Sequence, residues 1–448
     1  MLRYFLLLLA ASPAFAAEPP NVVVLIIDDI RWDSLGCAGN AVVVTPNVDK
    51  LAKDSTHFTQ ARVTTSICMT SRATLLTGQH MARHGITAFG KPLSDDAFAK
   101  TYPGLLKANG YHTGYVGKFG VGAPPKGAYD FARIYEGTHW LNAKTDKKIH
   151  VTEKNARDAL EFLKARPKEK PFCLTVGFFA PHAEDKAPEQ YLPQGWSAKF
   201  YKDKAIPVPA SANEKALKAL PPFLQSSLNE GRVRWDLRFD TPEKFQRSMT
   251  NYYRLITEVD EAIGRILAEL EAQSADRNTL VIVTGDNGYF HGERGLADKW
   301  YPYEEALRVP LIVHDPRWPA GKRGTTRDEM VLNLDMAPTI LAAAGVKIPT
   351  VMQGQDLGPL VRGETAKDWR TEFFYEHPTI TSKNRIPSSQ AVVSRTAKYI
   401  RYPEHDYEEL FDLKADPGET HNLTNDPAAA KLLDRMRLKL DLYKIEAR

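Results

Sequence analysis

The stretch Asn21-Val22-Val23-Val24-Leu25-Ile26-Ile27-Asp28-Asp29 decides the fold class. Unbroken apolar residues follow Asn21 and stop at two carboxylates. A strand with one wet face would alternate apolar and polar residues, so this run predicts a parallel strand covered on both faces. Similar runs recur at 112–116, 172–179, 280–284 and 309–313, and helical patterns lie between them at 48–53, 104–108, 156–165 and 244–272. Strands alternating with helices predict a doubly wound α/β sheet with right-handed crossovers. In such sheets the polar residues just past the strand ends face the ligand crevice. That rule nominates Asp28, Asp29, Lys118, His182, Asp286 and Asn287 together.

Outward from this core the chain changes character twice. Residues 183–241 are rich in Pro, Lys and Gln without a long periodic element, and are read as an insertion over one edge of the crevice. After Gly345, short strand-like runs at 372–375, 391–394, 398–402 and 409–412 precede a final helix at 427–443. They predict a smaller C-terminal subdomain, 346–448, built as an antiparallel sheet plus a helix. The catalytic α/β domain is then expected over 18–345.

The chain has 448 residues, 43% hydrophobic and 25% charged, with a formal net charge of +4. These values are ordinary for a soluble globular protein and do not mark a nucleic-acid binder. Arg3, the apolar run 4–11 and the small-x-small pattern Ala14-Phe15-Ala16 read as a cleaved signal peptide over 1–17. No later segment is long enough to span a bilayer, so a secreted or periplasmic protein without stable membrane association is expected. Three cysteines in an exported chain leave at least one unpaired; Cys37 and Cys173 can pair, or Cys173 can be a buried thiol.

Asp28-Asp29 and Asp286-Asn287, both at predicted strand ends, bring three carboxylates and an amide oxygen together. That set suits a hard divalent cation such as calcium. Cys68 opens the run CMTSRATLLTG, read as a helix closing at Gly78. The helix dipole and Arg72, one turn on, favour an anion at position 68, whether thiolate or bound ligand. Lys118 and His182, past two further strands, can bind an anionic group and protonate a leaving oxygen. Lys299 lies in GERGLADKWYPYEEALRVPLI, downstream of the Asp286-Asn287 turn.

Together these residues resemble the type I sulfatase family of the alkaline phosphatase-like superfamily. The family motif C-x-P/A-S-R followed by x-x-L-L-T-G is similar to Cys68 to Arg72 and then Leu75 to Gly78. Its D-N-G resembles Asp286 to Gly288, its P-H Pro181-His182, and its K-x-x-x-Y-E Lys299 to Glu304. Its closing L-x-D-L-x-x-D-P-x-E-x-x-N-L resembles Leu410 to Leu423. The resemblance implies a mixed, mostly parallel alkaline phosphatase-like sheet. It also implies that a formylglycine-generating maturation enzyme oxidises Cys68 to formylglycine, whose hydrate attacks a sulfate ester. By similarity the metal ligands are Asp28, Asp29, residue 68, Asp286 and Asn287. Arg72 and Lys118 then steady the hydrate, and His182 and Lys299 contact the sulfate and protonate the leaving alcohol.

Two positions depart from the family. Thr70 stands where the motif has Pro or Ala, and the family's G-K-W-H reads Gly117-Lys118-Phe119-Gly120, so its histidine is absent. His139, His291 or a water are the candidate substitutes for that base. The expected function is hydrolysis of a sulfated sugar or glycan outside the cytoplasm. The competing readings are phosphodiester or phosphonate monoester hydrolysis on the same scaffold, and a weakly active protein that binds sulfated glycan.

Overall fold

The unalternating run from Asn21 becomes the Asn21–Ile27 strand, paired in parallel on one side with Phe172–Phe178 and on the other with Thr279–Gly285. The computed structural model describes residues 18–142, 148–319, 321 and 323–448; the leader expected over 1–17 lies outside them. Counted from one edge, the eight-stranded sheet runs Thr325–Arg327, Thr56–Phe58, Leu311–His314, Thr279–Gly285, Asn21–Ile27, Phe172–Phe178, His112–Gly117 and Phe131–Ile134. Leu311–His314 alone runs antiparallel to its neighbours. The sheet is therefore mixed and mostly parallel, in the alkaline phosphatase-like arrangement.

Both faces are covered, as a continuous apolar strand requires. Val23, Leu25 and Ile27 pack with Phe162 of the Val151–Ala165 helix and with Ile256 and Val259 of the Pro242–Ala272 helix. Val22, Val24 and Ile26 face the other way, onto Leu75 of the Cys68–Thr77 helix, Leu106 and Ile340. The period-2 alternation of side chains thus splits one strand between two cores.

The C-terminal region forms the four-stranded antiparallel sheet Glu372–His377, Ser389–Ser394, Ala397–Tyr402 and Tyr407–Asp412, with the Ala430–Glu446 helix on one face. Phe374, Val392 and Tyr399 pack on Leu433, Met436 and Leu440 of that helix. Phe373, Tyr375 and Val393 pack the opposite way, on Ile67, Met69 and Trp300. Before this sheet begins, Leu357 and Leu360 pack into the central core.

Residues 183–241 hold more regular structure than their composition suggests, including the Glu230–Arg238 helix. Its sequence, EGRVRWDLR, is short and densely charged, so no apolar stripe announces it. All three cysteines are free thiols, so Cys37 and Cys173 do not pair. Among the described residues no helix is long and apolar enough to cross a membrane.

The small sheet also reaches the crevice through hydrogen bonds. Tyr375 Oη lies 2.6 Å from Ser66 Oγ and donates to the Trp300 carbonyl at 2.9 Å. Trp300 N in turn donates to the Ser66 carbonyl at 3.2 Å. One buried phenol therefore ties the loop before Cys68 to the loop after Lys299. Tyr375→Phe strands these polar groups and is expected to cost about 1–3 kcal/mol. Calorimetry should show the thermal midpoint falling by a few degrees; an unchanged midpoint would mean that the hydroxyl does not hold the two loops.

Candidate active site

Register builds the site. Ile27 lies opposite both Phe178 and Gly285, and Gly117 opposite Gly177. The residues that follow, Asp28-Asp29, Asp286-Asn287 and Lys118, therefore emerge side by side at the carboxyl edge of the sheet. His182 arrives on the loop after Phe172–Phe178, and Lys299 on the loop after the short Ala297–Asp298 strand.

Cys68 is the first residue of a ten-residue helix whose members are all buried. Ile67 before it supplies no side-chain cap, and Gly78 ends the helix with φ of 63°. This placement matches the sequence expectation, with one correction to its electrostatics. Burial pushes the Cys68 thiol up, and the cationic pull of Lys118 and Lys299 does not reverse it. The unmodified side chain is therefore a thiol, not a thiolate.

Arg72, on the next turn, is buried. Its Nε donates to Asp286 Oδ2 at 2.6 Å and its Nη1 to the Lys118 carbonyl at 2.5 Å, while Nη2 lies 3.5 Å from Asp28 Oδ2. Lys118 is ion-paired with Asp28, and Lys299 with Asp29. Asn287 Nδ2 donates to Asp29 Oδ1 at 2.6 Å. All nine residues nominated from the sequence are thus brought to one crevice. Cys68, Lys118, His182 and Lys299 line a cleft of about 550 Å³.

The oxygen set fits a cation. Asp28 Oδ1, Asp29 Oδ2 and Asn287 Oδ1 are buried and accept no hydrogen bond, while Asp28 Oδ2 meets the Lys118 ammonium. Asp286 is more heavily engaged, since Oδ2 faces Arg72 and Oδ1 takes the Asp29 amide at 3.3 Å. His182 joins the group: one ligand atom each from Asp28, Asp29 and His182 lies within 4.8 Å of the others. Its Nδ1 sits 2.7 Å from the Ala183 carbonyl, which assigns the proton to Nδ1 and leaves Nε2 as a lone pair 3.6 Å from Asp29 Oδ2. Burial and then the flanking lysines hold His182 well below 6.5, in its neutral form.

The carboxylates are crowded. Burial pushes the Asp29 carboxyl up to about 7, with Asp28, Asp298 and Asp286 adding repulsion against Lys299. Asp28 goes the other way: burial opposes ionisation, but the permanent cations Lys118, Arg72 and Lys299 hold it below its usual range. A divalent cation among Asp28, Asp29, Asp286 and Asn287 would relieve this crowding and supply the missing partners.

The two family departures have structural counterparts. Thr70 is accommodated by donating its hydroxyl to the Ile86 carbonyl at 2.9 Å. Gly120 sits at φ of 74°, and a Cβ there would lie 2.8 Å from Arg72 Cδ. Neither His139 nor His291 is among the residues lining the cleft. His139 is buried against Phe179 and His150, which pushes it down to about 4, and His291 is buried against Tyr252.

Sequence reasoning missed Asp298, Asp185, Glu230, Arg234 and Arg385, which also line the cleft. An available signal was the Arg234/Arg238 pair, one helical turn apart in an insertion over the crevice. Backbone strain marks the same region: Asp29, Asp298 and Trp300 have φ of 55°, 74° and 85°. For a residue as bulky as Trp300 this is a genuine outlier, of the kind found where a loop is over-determined by its surroundings.

A family model described as Sulfatase matches residues 20–346, and one described as N-sulphoglucosamine sulphohydrolase, C-terminal, matches 292–446. An N-acetylglucosamine-6-O-sulfatase of Bacteroides thetaiotaomicron is 28% identical over 95% of this chain and 87% of its own. An arylsulfatase of Clostridium perfringens is 27% identical over 96% and 95%. A solved structure of a protein in complex with its substrate D-glucosamine-2-N,6-O-disulfate superposes with a TM-score of 0.82. It is 26% identical and covers 96% of this chain and 98% of the other. The chain belongs to the sulfatase family and is a sulfatase.

Proposed function

We propose that this sulfatase hydrolyses sulfate esters of sugars or glycans, outside the cytoplasm, with formylglycine made from Cys68 and a calcium ion at the strand ends. The observation that carries the reading is the convergence at one crevice of Cys68, two lysines, a neutral histidine and three buried oxygens that accept no hydrogen bond. The names of the relatives, which include an N-acetylglucosamine-6-O-sulfatase, favour a sugar as the alcohol.

Asp28, Asp29, residue 68, Asp286 and Asn287 would hold the cation, which when bound supplies positive charge to the sulfonyl oxygens. The hydrated aldehyde at position 68 supplies a paired hydroxyl nucleophile that an unmodified buried thiol does not. Lys118 and Lys299 place two fixed cations beside residue 68, where negative charge grows during sulfuryl transfer. Arg72 holds Asp286 and the Lys118 backbone in place. His182 keeps its proton on Nδ1, and Lys299, paired with Asp29, carries the ammonium proton that can pass to the leaving oxygen.

Three measurements test this. The intact mass of a peptide spanning Cys68, from protein made in its native host, should lie about 18 Da below the cysteine value, as replacement of the thiol by an aldehyde demands. In the same preparation Cys68→Ala should abolish sulfate release from 4-nitrophenyl sulfate, and Lys299→Ala should lower kcat by about 10²–10³. An unmodified Cys68 in active enzyme overturns the nucleophile assignment. A clear preference for nitrophenyl phosphate diesters over nitrophenyl sulfate overturns the choice of ester.

Chelation should remove turnover and lower the thermal midpoint, with calcium restoring both. At one hundred times Kd the ion adds about 2.7 kcal/mol to folding stability. Full activity after exhaustive chelation would sink the metal assignment. Finally, Gly120→His is expected to lower rather than raise activity. The new Cβ would push on an Arg72 whose guanidinium is already fixed by Asp286 and Lys118, at a cost of about 1–3 kcal/mol. A gain in turnover would show that the missing histidine is simply absent, not sterically excluded.

A further inference from the structure

The cleft has two unlike walls. On one side Gly90, Gly120, Gly122 and Gly137 leave it sparse in side chains, with Glu136 between them and Phe89, 61% exposed, at the rim. On the other, a chain of ion pairs climbs from the catalytic lysine to the cleft mouth. Lys299 Nζ lies 3.5 Å from Asp298 Oδ1, and Arg238 Nη1 donates to Asp298 Oδ2 at 2.8 Å. Arg238 Nη2 donates to Asp185 Oδ1 at 3.1 Å, and Arg234 Nη1 meets the same oxygen at 2.6 Å. Arg234 Nε donates to Glu230 Oε1 at 2.8 Å, and Arg385 Nε to Glu230 Oε2 at 2.9 Å.

Cations and carboxylates alternate along this ribbon, so most of its charge cancels. Arg238, buried like Lys299, Asp298 and Glu230, fixes the spacing, while the Asp185 and Arg385 side chains are 41% and 45% exposed. Asp185 Oδ2, Arg234 Nη2 and Arg385 Nη1 take no part in the ribbon's own contacts. Acceptors and planar donors are therefore presented in turn, at fixed positions, in the cleft that Lys299 also lines. A hydroxyl both donates and accepts, and a vicinal diol does so twice at the spacing of one carboxylate or guanidinium. A flat aryl group offers neither.

We propose that this Asp185–Arg234–Glu230–Arg385 wall is the saccharide-recognition surface of the enzyme. It holds the hydroxyls of an uncharged part of the sugar whose sulfate sits at Lys299, with Phe89 available to the ring's apolar face. The inference rests on the sulfatase reading above and names the class of leaving group. Asp185, Arg234 and Arg385 are specificity-determining residues, since a site built to pair with hydroxyls discriminates strongly against analogues that lack them.

The test uses the full chain purified from a host that converts Cys68. Free sulfate is measured from N-acetylglucosamine 6-sulfate, galactose 6-sulfate and 4-nitrophenyl sulfate, for wild type, Asp185→Asn and Arg385→Gln. The expected result is that the sugar-to-aryl ratio of kcat/KM falls at least about tenfold in each variant, with KM carrying most of the loss on the sugar. A ratio that stays constant, whether both substrates fall together or neither falls, overturns the inference. A wild type that hydrolyses the aryl ester and neither sugar overturns it too, and leaves the sulfatase reading intact. A wild type that releases sulfate from none of the three removes that reading, and the inference with it.

Discussion

A guanidinium with no access to solvent is tolerated only when its charge is matched, and Arg72 meets that demand with groups from three different segments, donating from Nε and Nη1 while Nη2 stands 3.5 Å from Asp28 Oδ2 without a hydrogen bond. Asp286 is the exit of one strand and Asp28 the exit of its neighbour. The Lys118 carbonyl belongs to a third exit. Because Arg72 lies one turn into the helix that Cys68 begins, pinning the guanidinium also fixes the axial position of residue 68. The packing around it is correspondingly tight. A Cβ at Gly177 would stand 2.7 Å from Arg72 Nη1, and one at Gly120 2.8 Å from Cδ. The family histidine is thus missing from a position whose backbone, at φ of 74°, and whose neighbour both exclude a side chain as they stand.

The same interaction explains the division of labour among the acids. Arg72 engages Asp286, and Lys118 engages Asp28, so these carboxylates are held by permanent cations. Asp29 is matched by Lys299 and Asn287 at one oxygen and by no hydrogen-bond donor at the other. Burial then drives its carboxyl up to about 7, and the surrounding aspartates add to the effect. A pocket with this imbalance is under electrostatic stress that a divalent cation, were one bound, would relieve. The neutral Nε2 lone pair of His182, 3.6 Å from that free oxygen, has the same requirement.

How much of this was readable follows from which signals are local. Asn21–Ile27 announced itself because a strand buried on both faces must be apolar at every position, and its partners carried the same pattern. The crevice residues followed from a rule about strand ends, with no need for side-chain geometry. Thr56–Phe58, Phe131–Ile134 and Thr325–Arg327 stayed hidden because they span three or four residues at or near the sheet edges and are partly exposed. The Glu230–Arg238 helix stayed hidden for a different reason. It is stabilised by ion pairs with Asp185 and Arg385, far away in the chain, and a helix held by such partners need not show an apolar period. Asp298 was passed over for its neighbour Lys299, although strain at φ of 74° and the pairing with Arg238 make it the hinge between the two clusters.

The C-terminal sheet is a support for chemistry that lies outside it. One of its faces closes over its own helix, and the other closes over Ile67, Met69 and Trp300, the residues that flank Cys68 and Lys299. Tyr375 adds hydrogen bonds to both loops. Lys398 reaches the same loop from a third direction, at 3.0 Å from Glu304 and 2.5 Å from Glu419, with no solvent exposure of its own. Glu304 and Glu419 are the glutamates of two motifs more than one hundred positions apart. Their shared contact with one buried lysine gives both motifs a structural reason to exist apart from substrate. The Lys299 loop, strained at Asp298 and Trp300, is kept in its conformation by a lysine and a tyrosine that never meet the substrate. Catalytic geometry in this chain therefore depends on burial in the small sheet as much as on the strand ends of the large one.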